Sequence, residues 1–108
     1  RAIFYDQLGC GNSSLLSEKP QSLWQVDIFF REFNALINHV GIADNFAILG
    51  HSWGGLLAAE IAIRQPAGLK AVILSSPLGD CDVWVEEVKQ LLAQMPSEIS
   101  SVILHREA

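Results

Sequence analysis

Three short, unbroken apolar runs organise this chain: Ala2 to Tyr5, Phe46 to Leu49 and Ala71 to Leu74. None alternates apolar with polar residues, so none reads as a strand with one wet face. Between the first two runs, Leu23, Val26, Phe30, Phe33, Ile37 and Val40 recur at steps of three and four, one stripe of an amphipathic helix. Between the second and third, Trp53 to Gln65 is apolar on nearly every side, through Leu56, Leu57, Ala58, Ala59, Ile61, Ala62 and Ile63. That pattern predicts a buried helix. The order strand, helix, strand, helix, strand, with continuous apolar strands, predicts a parallel sheet flanked by helices and covered on both faces.

Local signals place the boundaries. Gly, Asn, Ser and Pro fill most of positions 9 to 20, a loop. Ser22 and Gln25 have capping-box spacing for the first helix, and Gly41 stands where its C′ stop belongs. Pro66 and Gly68 end the second helix. Beyond Pro77 the character changes. Trp84, Val88, Leu91, Leu92 and Met95 have helical spacing over 83–95. Pro96-Ser97 then punctuates, with Ser97 read as an N-cap. The final EISSVILHREA is read as helix, although its VIL core also suits a strand.

Half of the 108 residues are hydrophobic, enough apolar surface for a real core. A net charge of −5 with scattered Lys and Arg argues against nucleic acid and against a polybasic membrane anchor. No apolar run reaches transmembrane length. Cys10 and Cys81 match no metal spacing and read as free buried thiols of a cytoplasmic protein. His39, His51 and His105 lie in separate segments, so no metal site is expected.

The strongest chemical signal is GHSWGG, residues 50 to 55, between an apolar strand and an apolar helix. It fits the G-x-S-x-G of a nucleophile elbow. A serine on a very sharp strand-to-helix turn occupies a strained conformation. Side chains two positions either side are expected to clash with backbone, which assigns Gly50 and Gly54 a steric role. The turn lifts the Ser52 hydroxyl above the sheet edge and aims the helix N-terminus at the reaction centre. The Trp53 N–H is then placed to stabilise an oxyanion. The competing reading is a Gly-rich turn with a capping serine.

A second glycine turn, YDQLGCGNSS, follows the first apolar run. It lacks the third glycine of a dinucleotide loop and the Gly-Lys-Ser/Thr of a P-loop, and no helix opens on it. A phosphate site is not expected there.

With these motifs the sequence resembles the α/β-hydrolase superfamily, and within it the proline iminopeptidases. The resemblance runs over essentially the whole chain. It is carried by FYDQLGCGNSS, WQVDIFFREFNALINHVGI, FAILGHSWGG with LLAAEIAIRQP, AVILSSP, and WVEEVKQLLAQMP where such enzymes begin a helical cap. The DQLGCG run is the discriminating part. The resemblance implies a partial α/β-hydrolase core over 1–79 and the start of a cap over 80–108. It implies a serine peptidase that releases N-terminal proline from peptides, with Ser52 as nucleophile, Trp53 N–H as one oxyanion donor, and no metal or organic cofactor. A carboxylesterase or lipase is the alternative within the superfamily. A serine at position 52 disfavours haloalkane dehalogenases and epoxide hydrolases, which use Asp there.

The rest of the expected machinery departs from this chain. In the family the acid and then the His follow the nucleophile beyond the cap, so the triad acid and base are expected to be none of the residues here. An HGGPG-type loop, donor of a second oxyanion N–H, belongs upstream of Arg1. With Arg1 already in a strand-like run, we expect a piece from inside a longer protein, inactive by itself; an inert truncated product is a further reading. The strand preceding that loop normally lies between those at 2–5 and 46–49, so a gap in the sheet is expected.

The remaining polar residues have plainer readings. His51 flanks the elbow and is expected to point away from Ser52; His105 reads as a solvated cap residue. Asp80 and Asp82 follow the third strand, where some hydrolases, though not iminopeptidases, place the acid. Glu86 and Glu87 read as a wet helix face, and Trp84 and Met95 as core. Asp27 is expected to anchor its helix, Glu60 to close a buried interaction, and Asp6 to tie down its own loop.

Overall fold

The computed structural model describes residues 1–16 and 18–106, the last two of these by their backbone alone. The chain divides into two compact units, Arg1–Pro77 and Leu78–Ala108.

In the first unit, a single 3-10 turn at Gln21–Leu23 precedes helix α1, Val26–His39. Strand β1, Phe46–Ser52, runs directly into helix α2, Trp53–Ile63, and strand β2, Leu69–Pro77, follows. The two strands pair in parallel, with Ala47 opposite Ala71, Leu49 opposite Ile73 and His51 opposite Ser75. Helix α1 starts later than the capping box predicts. Gln25 is its N-cap and makes no side-chain cap bond, because the 3-10 turn occupies the residues around Ser22. Its end is as expected. Gly41 takes φ +70, its N–H bonds the Asn38 carbonyl at 3.1 Å, and the Ile42 N–H bonds that of Ile37 at 2.9 Å. That pair of bonds is a Schellman stop, open to glycine because φ is left-handed.

The core is formed where one side of α1 meets one side of α2 and β1. Phe33, Ile37, Phe46, Leu57 and Ile61 pack as one buried cluster. Phe33 and Phe46 are tilted 60° at a centroid distance of 5.6 Å. Ile61 is only 1% exposed, so truncating it to Ala removes roughly 2–5 kcal/mol. Arg64, at the end of α2, lies over the Phe30 ring and pairs with Asp27, which ties the two helices together. Asp27 thus serves as an anchor, but toward α2 and not within its own helix. Glu60 is partly buried, and its side chain closes no hydrogen bond among the described residues.

Three expectations about the sheet are corrected. First, Ala2 to Tyr5 is not a strand. It has no ladder partner, because an apolar cavity of about 690 Å³ lies between residues 1–5 and β1, lined also by Phe33, Leu36 and Leu57. The described sheet therefore has two strands, β1 beside β2, and residues 1–5 stand apart from it across this cavity. Second, among the described residues the sheet is covered on one face only. Phe46 and Gly50 are buried, whereas Leu49 and Ile73, on the opposite face, are exposed. Third, α2 is buried along one side only, through Gly55, Leu57, Ala58 and Ile61, and Ile63 is exposed. Continuous apolar runs specify burial on every side, and the described elements supply cover for one.

The second unit holds α3, Cys81–Ala93, and α4, Ser97–Arg106. The Asp80 carboxylate accepts from the N–H groups of Asp82 (2.9 Å) and Val83 (3.1 Å), an N-cap that starts α3 two residues earlier than its apolar spacing. The last segment is helical as expected, but Ser97 is its first helical residue, not its cap: the Ile99 N–H bonds the Pro96 carbonyl at 2.9 Å. Residues 107–108 and the His105 side chain lie outside the described residues. Trp84 and Met95, expected as core, are exposed. Glu86 and Glu87 are exposed as expected, and Glu86 faces Lys89 at 3.8 Å. Cys10 and Cys81 are free, and both are exposed and not buried.

Candidate active site

Strand β1 ends and α2 begins with no residue between them. Ser52 is at once the last residue of the strand and the N-cap of the helix, with φ 52 and ψ −119. A serine in this left-handed region stores roughly 1–3 kcal/mol of strain. Its neighbours explain how the turn is held. A Cβ on Gly50 would overlap the Gly54 carbonyl, so the first turn of α2 folds down onto the strand only because position 50 has no side chain. The steric role expected of Gly54 belongs instead to Gly55. A Cβ on Gly54 meets nothing within 4 Å, whereas one on Gly55 would lie 2.7 Å from Cα of Pro77.

Ser52 does not cap α2 with its side chain, and the residue is exposed. The capping-serine alternative therefore fails. Among the described residues the hydroxyl makes no hydrogen bond, and it stands at the turn beside the unsatisfied N–H groups with which every helix begins. Helix N-termini favour negative charge through such N–H groups and the positive end of the helix dipole.

His51 points away, as expected. Its Nδ1 lies 3.0 Å from the Ser75 carbonyl oxygen and 3.3 Å from Ser75 Oγ. A carbonyl only accepts, so Nδ1 carries the proton in that bond. The end of β2 is shaped to match the elbow. Ser75 faces His51 and Pro77 faces Ser52, which leaves Ser76 as the extra residue of a β-bulge at φ 43. The bulge brings Pro77 beneath Gly55. Nothing in the spacing of Ser75-Ser76-Pro77 signals that role.

The second glycine turn also reaches the elbow. Asp6 ties it down as expected: its carboxylate accepts from the Asn12 N–H at 2.9 Å, and its carbonyl accepts from Ser13 Oγ at 2.6 Å. Gly11, at φ +51, turns the chain tightly around that carboxylate, with no room for a Cβ. A backbone donor that a phosphate loop would offer its ligand is thus occupied by the loop's own acid. Gln7 then crosses to the elbow. Its Oε1 accepts from the indole N–H of Trp53 at 3.1 Å, a contact between residues 46 apart that no sequence signal announces. Beneath the loop, the Leu8 N–H donates to Glu32 Oε1 at 2.7 Å, while Glu32 Oε2 is buried without a partner among the described residues. Burial pushes the Tyr5 phenol above its ordinary pKa of 10.0; the Gln7 side chain opposes that shift and the Glu32 carboxylate adds to it.

Asp80 and Asp82, the acids that follow β2, belong to the second unit, where Asp80 caps α3 and Asp82 sits in its first turn.

This arrangement has known counterparts. A family model described as "alpha/beta hydrolase fold" matches residues 1–107. The proline iminopeptidase of Heyndrickxia coagulans is 40% identical over 103 residues, 94% of this chain and 34% of that protein. The proline iminopeptidase of Lactobacillus delbrueckii subsp. lactis is 34% identical over 108 residues, 99% of this chain and 36% of that protein. The crystal structure of VinJ superimposes with a TM-score of 0.86 at 37% identity, covering 95% of this chain and 35% of that one. The chain thus spans about a third of the length of these relatives. A strained serine between a parallel strand and a helix, and a family match over nearly every residue, lead to one conclusion: the chain belongs to the α/β-hydrolase fold family.

Proposed function

We propose that this chain carries the nucleophile of a serine hydrolase that releases N-terminal proline from peptides. The observation that carries the reading is Ser52 itself, exposed at φ 52 between β1 and α2 with its hydroxyl unused as a cap. The peptide substrate is supported by the relatives named proline iminopeptidase.

In this reading Ser52 Oγ attacks the carbonyl carbon of the N-terminal proline, and the tetrahedral oxyanion is held by the Trp53 N–H at the start of α2. The amide C–N bond breaks, the amine leaves with a proton, and water hydrolyses the prolyl ester on Ser52. In this reading His51 is not the base that takes the serine proton, because its ring is turned to Ser75 on the neighbouring strand β2. Base and acid belong, in this reading, to other parts of a longer protein, and the 108 residues alone are inactive.

The test is proline p-nitroanilide hydrolysis by the protein that carries this chain. Ser52→Ala is expected to abolish turnover and to abolish labelling by a fluorophosphonate probe. Undiminished turnover by Ser52→Ala would overturn the assignment of the nucleophile. Short-chain esters cleaved far faster than proline amides would overturn the peptidase assignment and favour an esterase.

A further inference from the structure

We infer that Gln7 is a positioning residue for the elbow: by accepting the Trp53 indole N–H, it fixes the residue whose backbone N–H faces the oxyanion. The inference rests on the assignment of Ser52 as nucleophile.

The contact belongs to a closed circuit of packing. Trp53 and Phe29 form a T-shaped pair at 5.5 Å and 77°, and Phe29 stacks with Trp24 at 6.2 Å. The tip of the Trp24 ring lies against Gly9, so close that a Cβ there would sit 2.9 Å from Cη2. The 5–14 loop therefore holds Trp53 twice: directly through Gln7, and through Gly9, Trp24 and Phe29. The aromatic route supplies contact without direction, because a ring can slide over another ring at little cost. The hydrogen bond is directional and fixes the rotation of the indole.

That rotation bears on the chemistry. Trp53 is the first residue of α2, and its side chain and its N–H leave the same Cα. An indole free to turn loosens a peptide that must meet the oxyanion, and misplacing such a donor lowers the rate of the chemical step more than the binding of substrate. Gln7 is itself held. Its neighbour Leu8 is bonded to Glu32 on α1, and Asp6 locks the following turn, so the side chain projects from a fixed base.

The experiment is a double-mutant cycle in the protein that carries this chain. Gln7→Leu keeps the volume and removes the acceptor. It is expected to lower kcat on proline p-nitroanilide by about five- to tenfold, the scale of one hydrogen bond, with KM nearly unchanged. Gln7→Glu keeps an acceptor and should recover most of the loss. Trp53→Phe should reproduce the Gln7→Leu value, and the double variant should lose no more than either alone. In a ¹⁵N-labelled sample the Trp53 indole resonance should move in Gln7→Leu and return in Gln7→Glu. An unchanged kcat in Gln7→Leu, a loss confined to KM, additive losses in the double variant or an unmoved indole resonance would overturn the inference. Ser52→Ala separates the two readings. If it retains turnover, the nucleophile assignment fails; if it is dead while Gln7→Leu is unimpaired, only the role of Gln7 fails.

Discussion

The carbonyl of Gly54 occupies the space that a side chain on Gly50 would need. One residue thus lets the first turn of α2 close over the end of β1. Gly50→Ala must push two segments of backbone apart, and we expect a loss of about 3 kcal/mol or more. Gly54→Ala meets open space inside a helix, where alanine is favoured over glycine by about 1 kcal/mol, so it should be neutral or slightly stabilising. Chemical denaturation of the two variants checks the contrast. Equal losses would show that the turn is not held in this way.

Tyr5 is the only tyrosine of these 108 residues, and its alkaline titration can be followed as the phenolate absorbance that Tyr5→Phe removes. Burial raises its pKa above 10.0. A phenol whose folded pKa exceeds its unfolded value keeps its proton longer when folded. The stability it contributes is complete below pH 10 and is lost as pH rises through the folded pKa. Glu32→Gln removes the nearby negative charge and should lower the midpoint. Gln7→Leu removes the opposing contact and should raise it. Opposite movements would show that the loop is held differently.

Asp80 caps α3 through two backbone N–H groups. Asp80→Ala should cost about 1 kcal/mol and Asp80→Asn much less, read from amide exchange of residues 82 and 83. Since its carboxylate is committed to the cap, neither variant should change the fluorophosphonate labelling rate of Ser52. A large fall in that rate would return Asp80 to the list of candidate acids.

The elbow was legible because its chemistry is local. A strand, two glycines around a serine and an apolar helix lie within a few residues, and the strain at Ser52 follows from their adjacency. The stop of α1 at Gly41 and the locking of the loop by Asp6 were legible for the same reason. Three other features were not. The cap by Asp80 competed with an apolar spacing that pointed two residues downstream. The role of Gly55 depends on Pro77 lying beneath it, which requires the bulge at Ser76. The bond between Gln7 and Trp53 joins residues far apart in the chain.

The apolar runs and the GHSWGG turn by themselves determined the α/β class, the parallel pairing and the position of the sharp turn at Ser52, because periodicity and turn chemistry act between near neighbours. Tertiary structure alone decided which of those runs find a partner. The run at 2–5 stays unpaired, and Leu49 and Ile73 face outward. Hydrophobicity states that a segment should be buried, but only a neighbouring element with free backbone groups and a matching face can bury it.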